Sequence, residues 1–321
     1  MGARPFRCGL EELGNGLYAW MQPDGGWGWS NAGFIRDGDD SLLVDTLFDE
    51  PLTAAMLQAL EDATGIAPGR IRQLVNTHAN GDHTHGNALV ANAVVIASAA
   101  AAREMAELPP AMVAQVKAAG AAGALGEAGT YFAEIFGPFD FASARGRAPT
   151  RTFEKRLDLA VGGKAVELHM LGPAHTAGDV LVWVPGERAV FTGDLLFADI
   201  TPIMWAGPVG NWLAACDRIL ALDAEHIVPG HGPMTDPAGV RRLQEYLRWV
   251  DHEARRRFDD GMPMEQAVFD IALGEYRNWL DAERLAVNVA SLYREYAGDM
   301  AAADVVAMFG LMARLRRALR G

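Results

Sequence analysis

Cysteine is nearly missing from this chain: its 321 residues hold two, Cys8 and Cys216. Two thiols allow one bridge at most, so the fold is not a disulfide scaffold, and both are expected to be free in a reducing cytoplasm. No apolar core follows the N-terminal Met-Gly-Ala-Arg-Pro-Phe-Arg, which argues against a secretory leader. The longest apolar stretches, such as residues 91–102, are Ala-rich and too short to cross a bilayer, so no membrane association is expected. Low-complexity linkers and 20–50-residue repeats are also missing. There is no basic face: the net charge is −13, which excludes a nucleic-acid backbone binder. Half the residues are apolar and 21% are charged, which excludes a disordered or collagen-like chain. The length suits one large domain or two modest ones.

Lysine is absent from residues 241–321, where 13 Arg balance 13 Asp and Glu. The whole negative charge therefore falls on residues 1–240. A solvated surface accounts for most of it, and a metal site would account for a few carboxylates. A boundary is expected near 235, giving a catalytic domain over 1–235 and a helical C-terminal extension over 236–321.

Within the first part, residues 16–48 read as a β meander of short apolar runs between Gly- and Asp-rich turns. Residues 51–64 repeat apolar groups at helical spacing, with Leu52, Met56, Leu57 and Leu60 on one face. Strands are expected at 72–76 and 90–98, then an Ala-rich helical insertion or lid over 99–145. A second β region spans 157–192, followed by a helix at 211–222 and a strand at 226–228. Two β regions flanked by helices suggest a two-sheet core.

The chemistry concentrates at strand ends. Thr77-His78-Ala-Asn80-Gly-Asp82-His83-Thr-His85 places three of the eight histidines and an aspartate within eight positions, directly after a strand. Neutral nitrogen donors beside an anionic oxygen are what Zn, Fe or Mn require. Three further strand ends carry similar groups: Gly-Pro-Ala-His175-Thr176, Phe191-Thr-Gly-Asp194 and Pro229-Gly-His231-Gly. Asp45, ending Leu43-Val-Asp, suits either a strand-end turn or a partner for a ligand, and Asp179 and Thr176 suit support of the His175 loop. His169, His226 and His252 read as structural or solvated.

In this order the motifs resemble the metallo-β-lactamase-fold metallo-hydrolase superfamily over residues 31–233. The resemblance implies an α+β, four-layer αββα sandwich with the metal centre at one edge between the sheets. It implies that His78 and His175 hold a first metal, that Asp82, His83 and His231 hold a second, and that Asp194 bridges them. Zinc is the implied cofactor, as one or two ions, and iron or manganese suits the same donors. Water activated between the metals, its pKa lowered from about 15.7 to about 7, would be the nucleophile, with Asp82 as the catalytic carboxylate that orients it.

One position departs from the family pattern, in which a second His stands where this chain has Asn80. An amide oxygen is a weaker ligand than imidazole, so the site is expected to be dinuclear with one weakened position or mononuclear on His78, His175 and Asp194. His85 is a second departure: a ligand, a substrate contact or a residue packed beside the site. A helix starting at Asp82 would put it on the same face.

Trp27, Trp29, Phe197 and Trp205 are the expected pocket walls, and an apolar wall favours an acyl or lactone-bearing small molecule. The expected reaction is hydrolysis of an ester, thioester or lactone. β-Lactamase activity, a polyketide cyclase–thioesterase reaction and a non-catalytic remnant of a metal site are the alternatives. The extension is expected to cover the active-site edge or to form a homodimer contact.

Overall fold

The computed structural model describes residues 6–299 and 303–321. Strand composition decides the layering. β1 (Gly9–Gly14), β2 (Leu17–Met21), β3 (Ala32–Asp37) and β4 (Asp40–Val44) pair as an antiparallel meander. Helix α1 (Glu50–Thr64) leads to β5 (Gln73–Val75) and β6 (Val94–Ser98), which continue the sheet in parallel. The helices α2 (Ala99–Glu107), α3 (Pro110–Ala121) and α4 (Gly126–Ile135) precede the last parallel strand, β7 (Arg151–Phe153). The second sheet has the order β12-β11-β10-β9-β8, from β8 (Arg156–Val161), β9 (Lys164–Met170), β10 (Val180–Val184), β11 (Ala189–Phe191) and β12 (His226–Val228).

The central strands of both sheets are buried on both faces, and alternation along each strand sorts side chains between layers. Leu42 and Val44 face Val180, Val182 and Phe191 between the sheets, whereas Leu43 joins Leu74 and Val95 against α1. On the other side Leu181, Trp183 and Val190 face outward onto α5 (Val209–Ala221) and α6 (Pro237–Asp259). This is the expected αββα sandwich. A one-residue slip would turn each apolar set into the wrong layer, so the register is strongly specified. Helix α1 starts where expected because the Asp49 carboxylate accepts the Leu52 amide at 2.8 Å and Pro51 occupies the first turn; it ends at Gly65, φ +71°.

After α6 come α7 (Met264–Asp270), α8 (Leu285–Ala297) and α9 (Val305–Arg320). Their apolar faces share one continuous core with α5 and with Phe136, Phe139 and Phe141 of the segment following α4. β1 and β7 have no counterpart in the sequence reading. The helix considered from Asp82 is a single 3-10 turn, Gly81–His83. Among the described residues no helix is long and apolar enough to cross a membrane.

Trp212 of α5 is fully buried, donates its indole N–H to the Leu195 carbonyl at 3.0 Å and lies against His175 and Phe197. Trp212→Ala is expected to cost about 3–5 kcal/mol, read as a lower urea midpoint at unchanged slope.

Candidate metal centre

The candidate site is built at the C-terminal ends of parallel strands. β5 ends one residue before Thr77-His78, and β11 and β12 run side by side to deliver Asp194 and His231. The β9–β10 loop brings His175 to the same edge. Two groups form there: His78, His175 and Asp194, and Asp82, His83 and His231, each with ligand atoms within 4.8 Å of one another. Asp194 lies between them. Its Oδ2 is 3.7, 3.3 and 3.5 Å from the Nε2 atoms of His78, His175 and His231, and its Oδ1 is 3.1 Å from His83 Nε2. Asp82 Oδ2 is 3.2 Å from His231 Nε2.

The four imidazoles point Nε2 inward because each Nδ1 is engaged outside. His175 Nδ1 donates to the Ile203 carbonyl at 2.6 Å, His231 Nδ1 to the Gly25 carbonyl at 2.8 Å and His83 Nδ1 to Asp45 Oδ2 at 3.0 Å. The Thr77 hydroxyl donates to Asp45 at 2.7 Å and is left to accept from His78 Nδ1 at 3.1 Å. This places a proton on each Nδ1 and turns each Nε2 toward the centre, where a cation can take its lone pair. Asp45 thereby orients two of them, from a left-handed backbone position, φ +62°.

Several inward atoms lack partners. His78 Nε2, His83 Nε2 and Asp194 Oδ1 are buried and make no hydrogen bond. The last two are 3.1 Å apart, yet their alignment is wrong for a bond between them. A buried nitrogen and a buried carboxylate oxygen that are close but unpaired suit a third partner between them, and this set of ligand atoms fits a divalent cation. The charges agree. Burial holds His78 and His175 below the usual histidine range, so their lone pairs are free. Burial opposes charge on His83, but Asp194, Asp45 and Asp82 around it raise it well above that range, so its Nε2 carries a proton that a bound cation would displace. Burial likewise opposes charge on Asp194 and Asp82, yet the surrounding histidines keep both low. The centre is thus rich in anionic oxygen that a divalent cation would neutralise.

Backbone packing brings the two strand ends together. A Cβ on Gly230 would stand 2.0 Å from Asp194 Oδ1, so only glycine lets the β12 loop pass.

The structure places the other expected residues as follows. Asn80 Nδ2 lies 3.0 Å from His175 Nε2, at the edge of the first group. His85 belongs to neither group; it packs against Phe48 and Phe141, and burial lowers it to about 4. The Asp179 carboxyl caps the His175 loop through the Thr176 amide and hydroxyl, and burial pushes it up to about 7. Phe197 lies parallel to the His231 ring with centroids 5.2 Å apart. Trp27, Trp29 and Trp205 join an aromatic cluster with Phe136 and Phe139, which follow α4, and with Phe309 of α9. His169 bonds Glu167 at 2.9 Å, away from the centre. The sequence reading missed Phe48, Phe136, Phe139, Phe141 and Phe309. It also missed Asn288 of α8, which holds the loop carrying Ile203. A lone buried Asn among the apolar residues of α8 was the available signal.

A family profile described as the metallo-beta-lactamase superfamily matches residues 25–231, more than half of the chain. The chain belongs to that superfamily. It is 24% identical over 227 residues to a beta-lactamase-like protein 2 homolog of Caenorhabditis elegans, covering 71% of this chain and 62% of that one. Over 96 residues it is 33% identical to the 2,4-dinitroanisole O-demethylase subunit alpha of Nocardioides sp., covering 28% of each chain. The chain thus spans less than two thirds of the length of these relatives. Among solved structures, the sec-alkylsulfatase Pisa1 from Pseudomonas sp. superposes with TM-score 0.68 at 14% identity, covering 91% of this chain and 50% of that one. A metallo-beta-lactamase from Pontibacter korlensis superposes with TM-score 0.57 at 18% identity, covering 75% and 99%. Members of this superfamily are mostly hydrolases, and the two His/Asp groups could hold metal ions.

If Asp45 sets the tautomers of His78 and His83, Asp45→Ala will weaken metal binding about 10–100-fold. Competition with a chromogenic chelator measures this, and unchanged affinity would refute the role.

Proposed function

We propose that the chain is a metal-dependent hydrolase acting on an ester, thioester or lactone in a largely apolar small molecule. The observation that carries this reading is the ring of four inward Nε2 atoms around Asp194. His78, His175 and Asp194 would hold one cation and Asp82, His83 and His231 a second, zinc being the best match to the imidazole-rich set. When bound, such cations supply Lewis acidity, which polarises the scissile bond and makes water more acidic.

The chain's own groups do the rest. Asp194, kept anionic by the surrounding histidines, stands between the two groups and balances their charge. Asp82 is the most exposed of the six, with 12% of its side chain accessible, and His83 and His231 keep it ionised despite burial. It is therefore the carboxylate placed to orient an attacking water and accept a hydrogen bond from it. Asn80 offers an amide oxygen to the first group on rotation about its last side-chain bond, a weaker donor than imidazole. Around them Trp27, Trp29, Phe48, Phe136, Phe139 and Phe309 exclude water and supply apolar contact, which strengthens the electrostatics inside.

A second reading is hydrolysis of an alkyl sulfate ester. It is favoured by the 24% identity over 141 residues to a linear primary-alkylsulfatase of Pseudomonas sp.. The structural match to Pisa1 also extends over the helical extension, since it covers 91% of the chain.

Purified, metal-loaded protein should hydrolyse at least one member of a panel of acyl thioesters, lactones, aryl esters, β-lactams and sulfate esters. Asp194→Ala should abolish both metal occupancy and turnover. Turnover surviving in that variant would refute the central role of Asp194, and turnover of sulfate esters alone would favour the second reading.

The lid makes a separate prediction. Helix α4 is fastened to α9 by ion pairs from Arg316 to Glu134, at 3.2 Å, and from Arg317 to Glu127, and Phe309 lies against Phe132 and Phe136. A Cβ on Gly310 would stand 3.8 Å from Ala128 Cβ, the spacing of a disulfide. In a Cys8→Ser background, oxidised A128C/G310C should lose at least about tenfold in turnover and regain it on reduction. Full turnover while oxidised would mean that substrate enters without separating α4 from α9.

A further inference from the structure

The helical extension lies outside the segment that the superfamily profile matches, yet it reaches the metal centre. The link is the strap of residues 201–207, between Asp194 and α5. On one side the strap grips His175: the Ile203 carbonyl accepts its Nδ1–H at 2.6 Å, and the Trp205 and Ala206 amides donate to its carbonyl at 3.0 and 3.2 Å. On the other side it is gripped by α8. Asn288 Oδ1 accepts the Met204 amide at 2.8 Å, and Asn288 Nδ2 donates to the Pro202 carbonyl at 2.9 Å, so one side chain brackets Ile203 from both neighbours. Its second N–H donates to the Tyr246 hydroxyl at 2.9 Å.

Asn288 is 1% exposed and sits on a helix whose other inward residues, Ser291 aside, are apolar. Arg284, Asn288 and Ser291 repeat at helical spacing as a buried polar stripe, and Arg284 donates to the Thr201 carbonyl at 3.0 Å. A buried amide costs desolvation and is kept where both its donor and its acceptor are used. Asn288 does both at once, its Oδ1 accepting from the Met204 amide and its Nδ2 donating to the Pro202 carbonyl.

We infer that Asn288 is a positioning residue for His175. By fixing the strap it fixes the Ile203 carbonyl, which keeps the proton of His175 on Nδ1 and its Nε2 lone pair toward the centre. Without that carbonyl the ring is free to carry its proton on Nε2 and can then no longer act as a ligand. This inference rests on the reading of His175 as a ligand, and the experiment separates the two.

The test uses the full chain. Long-range proton–nitrogen spectra of the imidazole rings in metal-free protein report the His175 tautomer directly, and zinc titration against a competing chelator reports affinity. In the wild type His175 should carry its proton on Nδ1. In Asn288→Ala the ring should become a mixture of tautomers and zinc affinity at the His175 group should fall about 10–100-fold. Asn288→Asp, which keeps the acceptor for Met204 but loses the donor to Pro202, should fall between them, and it carries the comparison if the alanine variant does not fold. Tyr246→Phe removes a partner of Asn288 without touching the strap. It should lower stability and leave tautomer and affinity unchanged. An unaltered tautomer and affinity in the Asn288 variants, with only stability reduced, would overturn the inference. A tautomer shift in a protein that binds no zinc at all would uphold the positioning and sink the metal-dependent reading.

Discussion

Four imidazoles can aim the same nitrogen at one point only if each has its other nitrogen occupied elsewhere. That requirement organises this molecule more than any other. Asp45 meets it for two rings, directly for His83 and through the Thr77 hydroxyl for His78. Backbone carbonyls meet it for the others, Ile203 for His175 and Gly25 for His231. Asp45 is buried, and burial pushes its carboxyl up despite the hydrogen bonds that favour its charge. A carboxylate placed at such cost is retained because nothing else in the layer could accept from Thr77 and His83 together.

The sandwich makes this arrangement possible. Parallel pairing of β4 with β5, and of β11 with β12, brings the C-terminal ends of strands from both sheets to one edge. His78, Asp194 and His231 then each stand three residues past the end of a strand locked by its burial. Positions set this way are reproducible to the accuracy of the strand register, which metal ligation demands.

The sequence exposed the parts of this design that are local. His78, Asp82 and His83 lie in one short loop, and His175, Asp194 and His231 each follow an apolar run and a glycine or proline, so their placement at strand ends could be read without tertiary information. Asp45 was legible as a strand-end carboxylate for the same reason, although its partners were not. β1 and β7 escaped because one is the acidic, glycine-bounded segment Gly9–Gly14 and the other has three residues; neither carries a period. Of the aromatic roof, Trp27, Trp29 and Trp205 were legible, whereas Phe136, Phe139 and Phe309 escaped because their segments meet the tryptophans only in the tertiary fold. Asn288 escaped because its role exists only across 84 residues of sequence, to Met204.

The division of labour between local and distant residues has a physical logic. Ligand atoms must be close together, so they can be encoded in short loops on rigid strands. The tautomers and the dryness of the centre depend on what surrounds those loops, and that can come from any part of the chain long enough to reach. Here the helices beyond residue 236 supply both, a polar stripe on α8 that braces the His175 strap and Phe309 of α9 in the aromatic roof. Arg284 pairs with Asp281 beside it, and Arg316 and Arg317 pair with Glu134 and Glu127 of α4, so these three help to fasten the segment. The acidic excess of the remainder is another matter: at the metal centre only Asp45, Asp82 and Asp194 draw on it.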